Sequence, residues 1–262
     1  VRSLSSGQAP APALRKVAST KMADIKDIFG ESDSEDDDAQ QQAPVDVGKL
    51  FELSEDEEEA PIQRKRPAGR LQKNAAAQPG DVLFLTKPLG VGIITTTQKR
   101  GNVDPDHLAA AVQSMQTLNA VGAELSALPG VHAMTDVTGF GLMGHLLEMC
   151  QGSDTQAEVY GDQVQTFDGV PTYHAQGMVP GGARRNHASY GAHLDLPEGY
   201  LRDLLCDPQT SGGLLVAVAP EHADGVSSLL AQGGMPSTPV GRMLPEGEVL
   251  EGGVTVAYRP MS

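Results

Sequence analysis

Asp136 stands three residues before Gly139-Phe140-Gly141-Leu142-Met143-Gly144 in the stretch Thr135–Gly144. A carboxylate beside a phosphate is repulsive unless a cation lies between them. Carboxylate, glycine turn and helix start together suit a metal–phosphate, because the helix N-terminus and its free N–H groups favour the anion. Asp136 admits two other roles. It can N-cap the following helix, or it can flank a dinucleotide fingerprint, since GxGxxG here follows a strand and opens a helix. That fingerprint needs an acid about 20 residues on. Glu158 and Asp162 fall at 14 and 18 residues past Gly144, in a polar stretch. The metal–phosphate role is favoured.

Two further loops suit anions. Asp207-Pro208-Gln209-Thr210-Ser211-Gly212-Gly213 combines small hydroxyls with glycines, which can aim backbone N–H groups into a nest. A tight turn with glycine at positive φ fits the same residues. Pro180-Gly181-Gly182-Ala183-Arg184-Arg185-Asn186 sets guanidinium groups beside glycines, which suits an oxyanion. An exposed loop with surface arginines fits equally. Two cysteines, Cys150 and Cys206, exclude a disulfide framework and a four-cysteine zinc site, and fit a reducing compartment.

The elements that must hold these loops lie beyond Gly80. Pro79-Gly80-Asp81 signals a turn, and Val82–Thr86 reads as a buried strand. Residues 93–97 read as resumed extended structure. Asp104-Pro105 predicts a helix start, with Asp as N-cap and Pro at N1. Leu108, Val112, Met115, Leu118 and Leu125 continue it as one apolar stripe, with Gly122 permitting close packing and Pro129-Gly130 ending it. Residues 131–137 and 214–218 read as strands, and 142–150 as a helix.

The first seventy residues have a different texture. The chain of 262 residues carries a formal charge of −15, with a sequence pI near 4.7. Residues 22–60 hold fifteen acids against Lys26 and Lys49, while residues 80–262 hold nineteen against eight bases. Such an acidic balance argues against a non-specific nucleic-acid binder. No apolar run is long enough to cross a membrane. Residues 1–21 carry no acid and resemble an organelle transit peptide, while an unstructured tail or translated upstream sequence fits them as well; Arg64-Lys65-Arg66-Pro67 has the composition of a nuclear import signal, but an ordinary basic linker is favoured. The cytoplasm is the expected compartment.

IKDIFGESDSED and VGKLFELSEDEE form a repeat 22 residues apart. Short apolar anchors beside acids, here Phe29 and Phe51, can dock in a basic-rimmed groove on a partner. The nearby Ser32, Ser34 and Ser54 suit an acid-directed kinase. This segment resembles the acidic tails of nuclear elongation factors. A plain solvated acidic linker fits it as well.

GDVLFLTKPLGVGIITT, AMTDVTGFGLMGHLLEMCQGS, VPGGARRNHASYG and LLCDPQTSGGLLVAV follow one another in that order. Together they resemble the C-terminal half of selenophosphate synthetases, over roughly residues 70–262. TDVTGFG and DPQTSGG are also similar to the wider purine-synthase-like superfamily of ATP-using enzymes. The resemblance implies an α+β fold, a layered mixed-sheet and helix domain, preceded by a disordered acidic tail over residues 1–69. It implies magnesium and ATP as cofactors, with selenide as substrate and selenophosphate, AMP and phosphate as products, serving selenocysteine synthesis. It makes Asp136 a magnesium ligand and places Gly139, Gly141, Thr210, Ser211, Gly212 and Arg185 against phosphate or substrate. The family is homodimeric, largely through its N-terminal half.

The departures are as informative. That family's N-terminal domain carries a catalytic Cys or selenocysteine, a Lys, further metal-binding Asp residues and a glycine-rich ATP loop. No Cys precedes Cys150 here, and both cysteines match non-catalytic positions. The expectation is a synthetase half without its ATP-binding domain, inactive alone. The alternative is an acidic binding module joined, in the gene or in the reading of it, to such a half.

Overall fold

The computed structural model describes residues 74–247 and 254–257. The acidic repeat, with Phe29 and Phe51, lies outside them. Seven strands form one sheet: β1 (Val82–Leu85), β2 (Val131–Asp136), β3 (Gln156–Tyr160), β4 (Leu194–Asp195), β5 (Leu214–Val218), β6 (Gly241–Leu244) and β7 (Val254–Ala257). Their spatial order is β2-β5-β1-β6-β3-β7-β4. Neighbours are antiparallel except β7, which runs parallel to both β3 and β4.

Eight helices pack around it among the described residues: α1 (Val91–Lys99), α2 (Pro105–Gln116), α3 (Val121–Leu125), α4 (Gly141–Gly152), α5 (Val170–Ala175), α6 (Gly181–Tyr190), α7 (Tyr200–Leu205) and α8 (Ala223–Gln232). None is long and apolar enough to cross a membrane. The architecture is the expected layered α+β arrangement.

Side-chain alternation divides the core. Phe84 of β1 and Leu214, Val216 and Val218 of β5 meet Val121 and Leu125 of α3 and Val226 and Leu230 of α8. The alternate residues Leu83, Leu85, Leu215 and Ala217 are buried on the other face. Helix α4, buried along most of its length, packs against β2, β3 and β7. At Gly122, an added Cβ would lie 2.9 Å from Leu214, so glycine brings α3 close to β5 as its spacing predicts.

Asp104 caps α2 as expected, its side chain accepting from the Asp106 N–H at 2.8 Å with Pro105 in the first turn. Three expectations need correction. Residues 91–99 are helical, not extended. Their β-branched run favours a strand, but Asp207 and Gln209 supply acceptors for the first N–H groups of α1 from across the chain.

The second correction concerns the stripe 104–125, which is two helices. Thr117 turns extended (φ −73°, ψ 119°), and Lys87 Nζ donates to the Ser114 and Thr117 carbonyls at the end of α2. A cation satisfying the last carbonyls stabilises that stop. Leu118 therefore leaves the stripe and is 84% exposed. The third is residues 181–186, which open helix α6 and are not a loop. Gly182 lies there against Pro208, with room for no Cβ.

The cluster beneath α8 yields a direct test. Leu230 is fully buried. Leu230→Ala should lower stability by about 2–5 kcal/mol, with the cavity it leaves setting the value. In urea unfolding this appears as a lower midpoint at unchanged slope.

Candidate functional site

Asp136 ends β2 opposite Leu214 of β5, with its side chain exposed. Its carboxylate makes no hydrogen bond or ion pair with the described residues. It does not cap α4, which begins after Phe140 without any side-chain cap. The dinucleotide role fails as well. β2 is an edge strand paired antiparallel to β5, and β3 lies four places away across the sheet. A dinucleotide fold needs parallel neighbouring strands around its glycine turn.

The two glycine loops expected to share a cavity do lie side by side. The Val137 N–H donates to the Gly213 carbonyl at 2.8 Å, and the Gln209 N–H donates to the Thr138 carbonyl at 3.0 Å. Gly212 packs directly on the Val137 carbonyl, so no larger residue fits. Thr210 and Ser211 are exposed, whereas Gly212 is buried. Ser211 holds φ +47°, a left-handed conformation uncommon outside glycine, asparagine and aspartate.

The glycines of residues 139–144 divide by role. Gly139 faces open space. Gly141, at φ +68°, has its N–H bonded to the Thr138 carbonyl and its Cα against the Cys206 carbonyl. Its N–H is therefore committed within the turn. Gly144 packs against Phe140, whose Cβ leaves no room for a side chain, with Tyr190 beside it.

Helix α6 braces both loops. Asn186 Nδ2 donates to the Gly139 and Cys206 carbonyls, each at 2.9 Å, and the Tyr190 hydroxyl donates to the Phe140 carbonyl at 2.6 Å. Arg185, beside Asn186, is exposed together with Arg184. The fold therefore brings Asp136, Gly139 and residues 210–212 to adjoining loops, with Arg185 on the helix that ties them.

Several residues that shape this end of the sheet are not apparent from the sequence. Lys87 Nζ donates to the Ser211 carbonyl at 2.8 Å as well as to the two carbonyls of α2. Burial lowers its pKa. Asn119 donates to the Gly212 carbonyl at 2.9 Å. Asp207 is fully buried. Its Oδ2 accepts from the Gly92 N–H at 2.9 Å and from Gln209 Nε2 at 2.8 Å, while Oδ1 has no partner. The only sequence signal for these roles is an acid in an otherwise apolar setting, Leu204-Leu205-Cys206-Asp207.

Both cysteines are buried. Burial pushes the Cys150 thiol up to about 12 and the Cys206 thiol up to about 11, so both stay protonated at neutral pH. No cluster of three or more metal-ligating side chains occurs among the described residues. Asp136 fits a divalent ion as one ligand of a set that these residues do not complete.

Residues 78–251 match the family model of the AIR synthase related protein, C-terminal domain. The chain is 50% identical over 177 residues to a selenide, water dikinase of Aeromonas hydrophila, covering 68% of this chain and 51% of that protein. It is 49% identical over 179 residues to the corresponding protein of Escherichia coli, covering 68% and 52%. The chain thus spans about half the length of these curated relatives. Among solved structures, a hydrogenase maturation protein HypE overlaps 71% of this chain and 52% of its own, at 20% identity and TM-score 0.49.

Burial pushes the Asp207 carboxyl up to about 7 from 3.8, against the lowering effect of its hydrogen bonds. With the folded value above the unfolded one, the native state holds the extra proton. This contribution to stability is full below about pH 4 and is lost as pH rises through about 7. Urea midpoints measured across that window should therefore fall with rising pH. Asp207→Asn should flatten the fall, and an unchanged profile would contradict the assignment.

Proposed function

The chain belongs to the AIR synthase related family through its C-terminal domain, and from that premise we propose that it is the C-terminal half of a selenophosphate-forming enzyme. The substrates are ATP, selenide and water, and an ATP-binding half must complete the site. The observation that carries this reading is the unpartnered, exposed carboxylate of Asp136 on a loop joined by hydrogen bonds to residues 207–213. The half-length identity to selenide, water dikinases supports it.

Asp136 supplies one ligand to magnesium, which when bound neutralises charge on the transferring phosphate. Gly139 lets backbone approach the phosphate without obstruction. Thr210, Ser211 and Gly212 line the adjoining wall, and Arg185 offers a guanidinium to an oxyanion. Asn186 and Tyr190 hold the glycine turn through its Gly139 and Phe140 carbonyls. Among the described residues one carboxylate at the loops cannot hold the ion and no thiol is activated, so residues 1–262 alone should form no selenophosphate.

The test mixes the purified chain with the separately expressed N-terminal half of the Escherichia coli relative. Selenide-dependent AMP release should appear only in the mixture. Asp136→Asn should lower it by about 100-fold or more, beyond the usual effect of losing a supporting residue around a metal. Activity of the chain alone, or full activity of the variant, would refute the reading.

The 22-residue repeat favours a second role for residues 22–60, as an acidic anchor for a basic-grooved protein. Phe29→Ala with Phe51→Ala should then abolish capture of that partner in a pull-down, while unchanged capture would remove this role.

A further inference from the structure

Leu118 is 84% exposed, the most exposed large apolar side chain among the described residues. Its neighbours on both sides are nevertheless fixed by distant segments. The Thr117 carbonyl accepts from Lys87 Nζ at 2.8 Å, and Asn119 Nδ2 donates to the Gly212 carbonyl at 2.9 Å. Lys87 Nζ also donates to the Ser211 carbonyl at 2.8 Å. The exposed leucine is thus held about one side chain away from the loop that carries Thr210, Ser211 and Gly212. Beside it a cavity of about 430 Å³ opens, with Val121, Leu229 and Met235 in its wall. Helix α2 leads into this surface, and of its twelve residues only Ala111 is buried.

An exposed apolar surface marks a contact with another body, and a surface already rigid loses little entropy on making it. Bonding and charge disfavour three occupants. A small anion finds no free cationic donor, since Lys87 gives all three N–H groups to carbonyls. The acidic residues 22–60, with fifteen acids against two bases, would meet the exposed carboxylate of Glu124 at the rim. A second copy would bring the same Glu124 and the same nineteen acids against eight bases of residues 80–262. Like charges facing each other oppose both contacts. The body that remains is the other half of the selenide, water dikinases, since this chain matches about half their length. A half that closes over residues 210–212 passes within reach of Leu118.

We propose that Leu118 and the cavity wall beside it form the docking surface for the ATP-binding half. That half meets them with an apolar side chain in the cavity and a basic group opposite Glu124. The inference rests on the function proposed above and names the contact through which the two halves meet.

The experiment follows alkylation by iodoacetamide of a thiol introduced by Leu118→Cys, with peptide mass spectrometry separating it from all other cysteines. Cys150 and Cys206 are buried and serve as slow internal references. In the full chain the introduced thiol should react fast. The variant is then joined, from residue 74 onward, behind the N-terminal half of the Escherichia coli relative in a single two-half chain. There its alkylation should slow at least tenfold. A thiol introduced by Asp195→Cys, on the exposed end of the opposite edge strand β4, should react equally fast in both. Fast alkylation at position 118 in the joined chain would overturn the proposal. So would slow alkylation in the full chain alone, which would show a second copy or the chain's own remaining residues on this face. Selenide-dependent AMP release by the joined chain is measured in parallel. Release without protection overturns the docking surface and leaves the proposed function standing. Protection without release does the reverse.

Discussion

The buried carboxylate of Asp207 is the constraint on which the site end of the sheet depends. Helix α1 begins with N–H groups that have no partner of their own, and Asp207 Oδ2 meets one of them at Gly92. Gln209, held by the same carboxylate, turns its side-chain oxygen toward the Val91 N–H and its backbone N–H toward the Thr138 carbonyl. One acid thus joins α1, the loop 207–213 and the loop 136–141. Its burial is unfavourable for a charge, and the positive end of α1 offsets part of that cost. Gly92 is required beside it because any Cβ there would strike the carboxylate.

This arrangement explains which elements were legible in the sequence. β1, β2 and β5 announce themselves by short apolar runs between turn residues, and α2 by Asp104-Pro105. Each signal is local. Helix α1 was not legible, because its Ile-Ile-Thr-Thr-Thr run favours a strand and its cap comes from 115 residues away. The break after Gln116 was hidden for a similar reason, since the cation that closes α2 sits on the turn after β1. Helix α6 was obscured by Gly181-Gly182, where tight packing on Pro208 outweighs the low helix propensity of glycine.

The candidate site was legible only in part. Asp136 stood out because a carboxylate beside a glycine turn is electrostatically awkward without a cation. The glycine pattern itself misled in detail. Gly141 is crowded by the Cys206 backbone and Gly144 by the Phe140 side chain with Tyr190 beyond it, and only Gly139 opens outward. Lys87, Asn119 and Asn186 act through backbone carbonyls of distant segments, and no residue-type pattern reveals such partners.

The balance of charge sharpens what this end of the domain can bind. Residues 80–262 carry nineteen acids against eight bases, so the folded part repels anions on average. Lys87, the one buried ammonium near the loops among the described residues, has all three donors committed to the Ser114, Thr117 and Ser211 carbonyls. Arg184 and Arg185 are exposed on α6, where solvent screens them. In the proposed function a polyphosphate therefore cannot be held by these side chains alone. It needs an imported divalent cation, and Asp136 is the exposed carboxylate at the loops with no other partner among the described residues. In that reading, the acidity that argues against a nucleic acid leaves a metal-bridged phosphate as the anion this surface would tolerate.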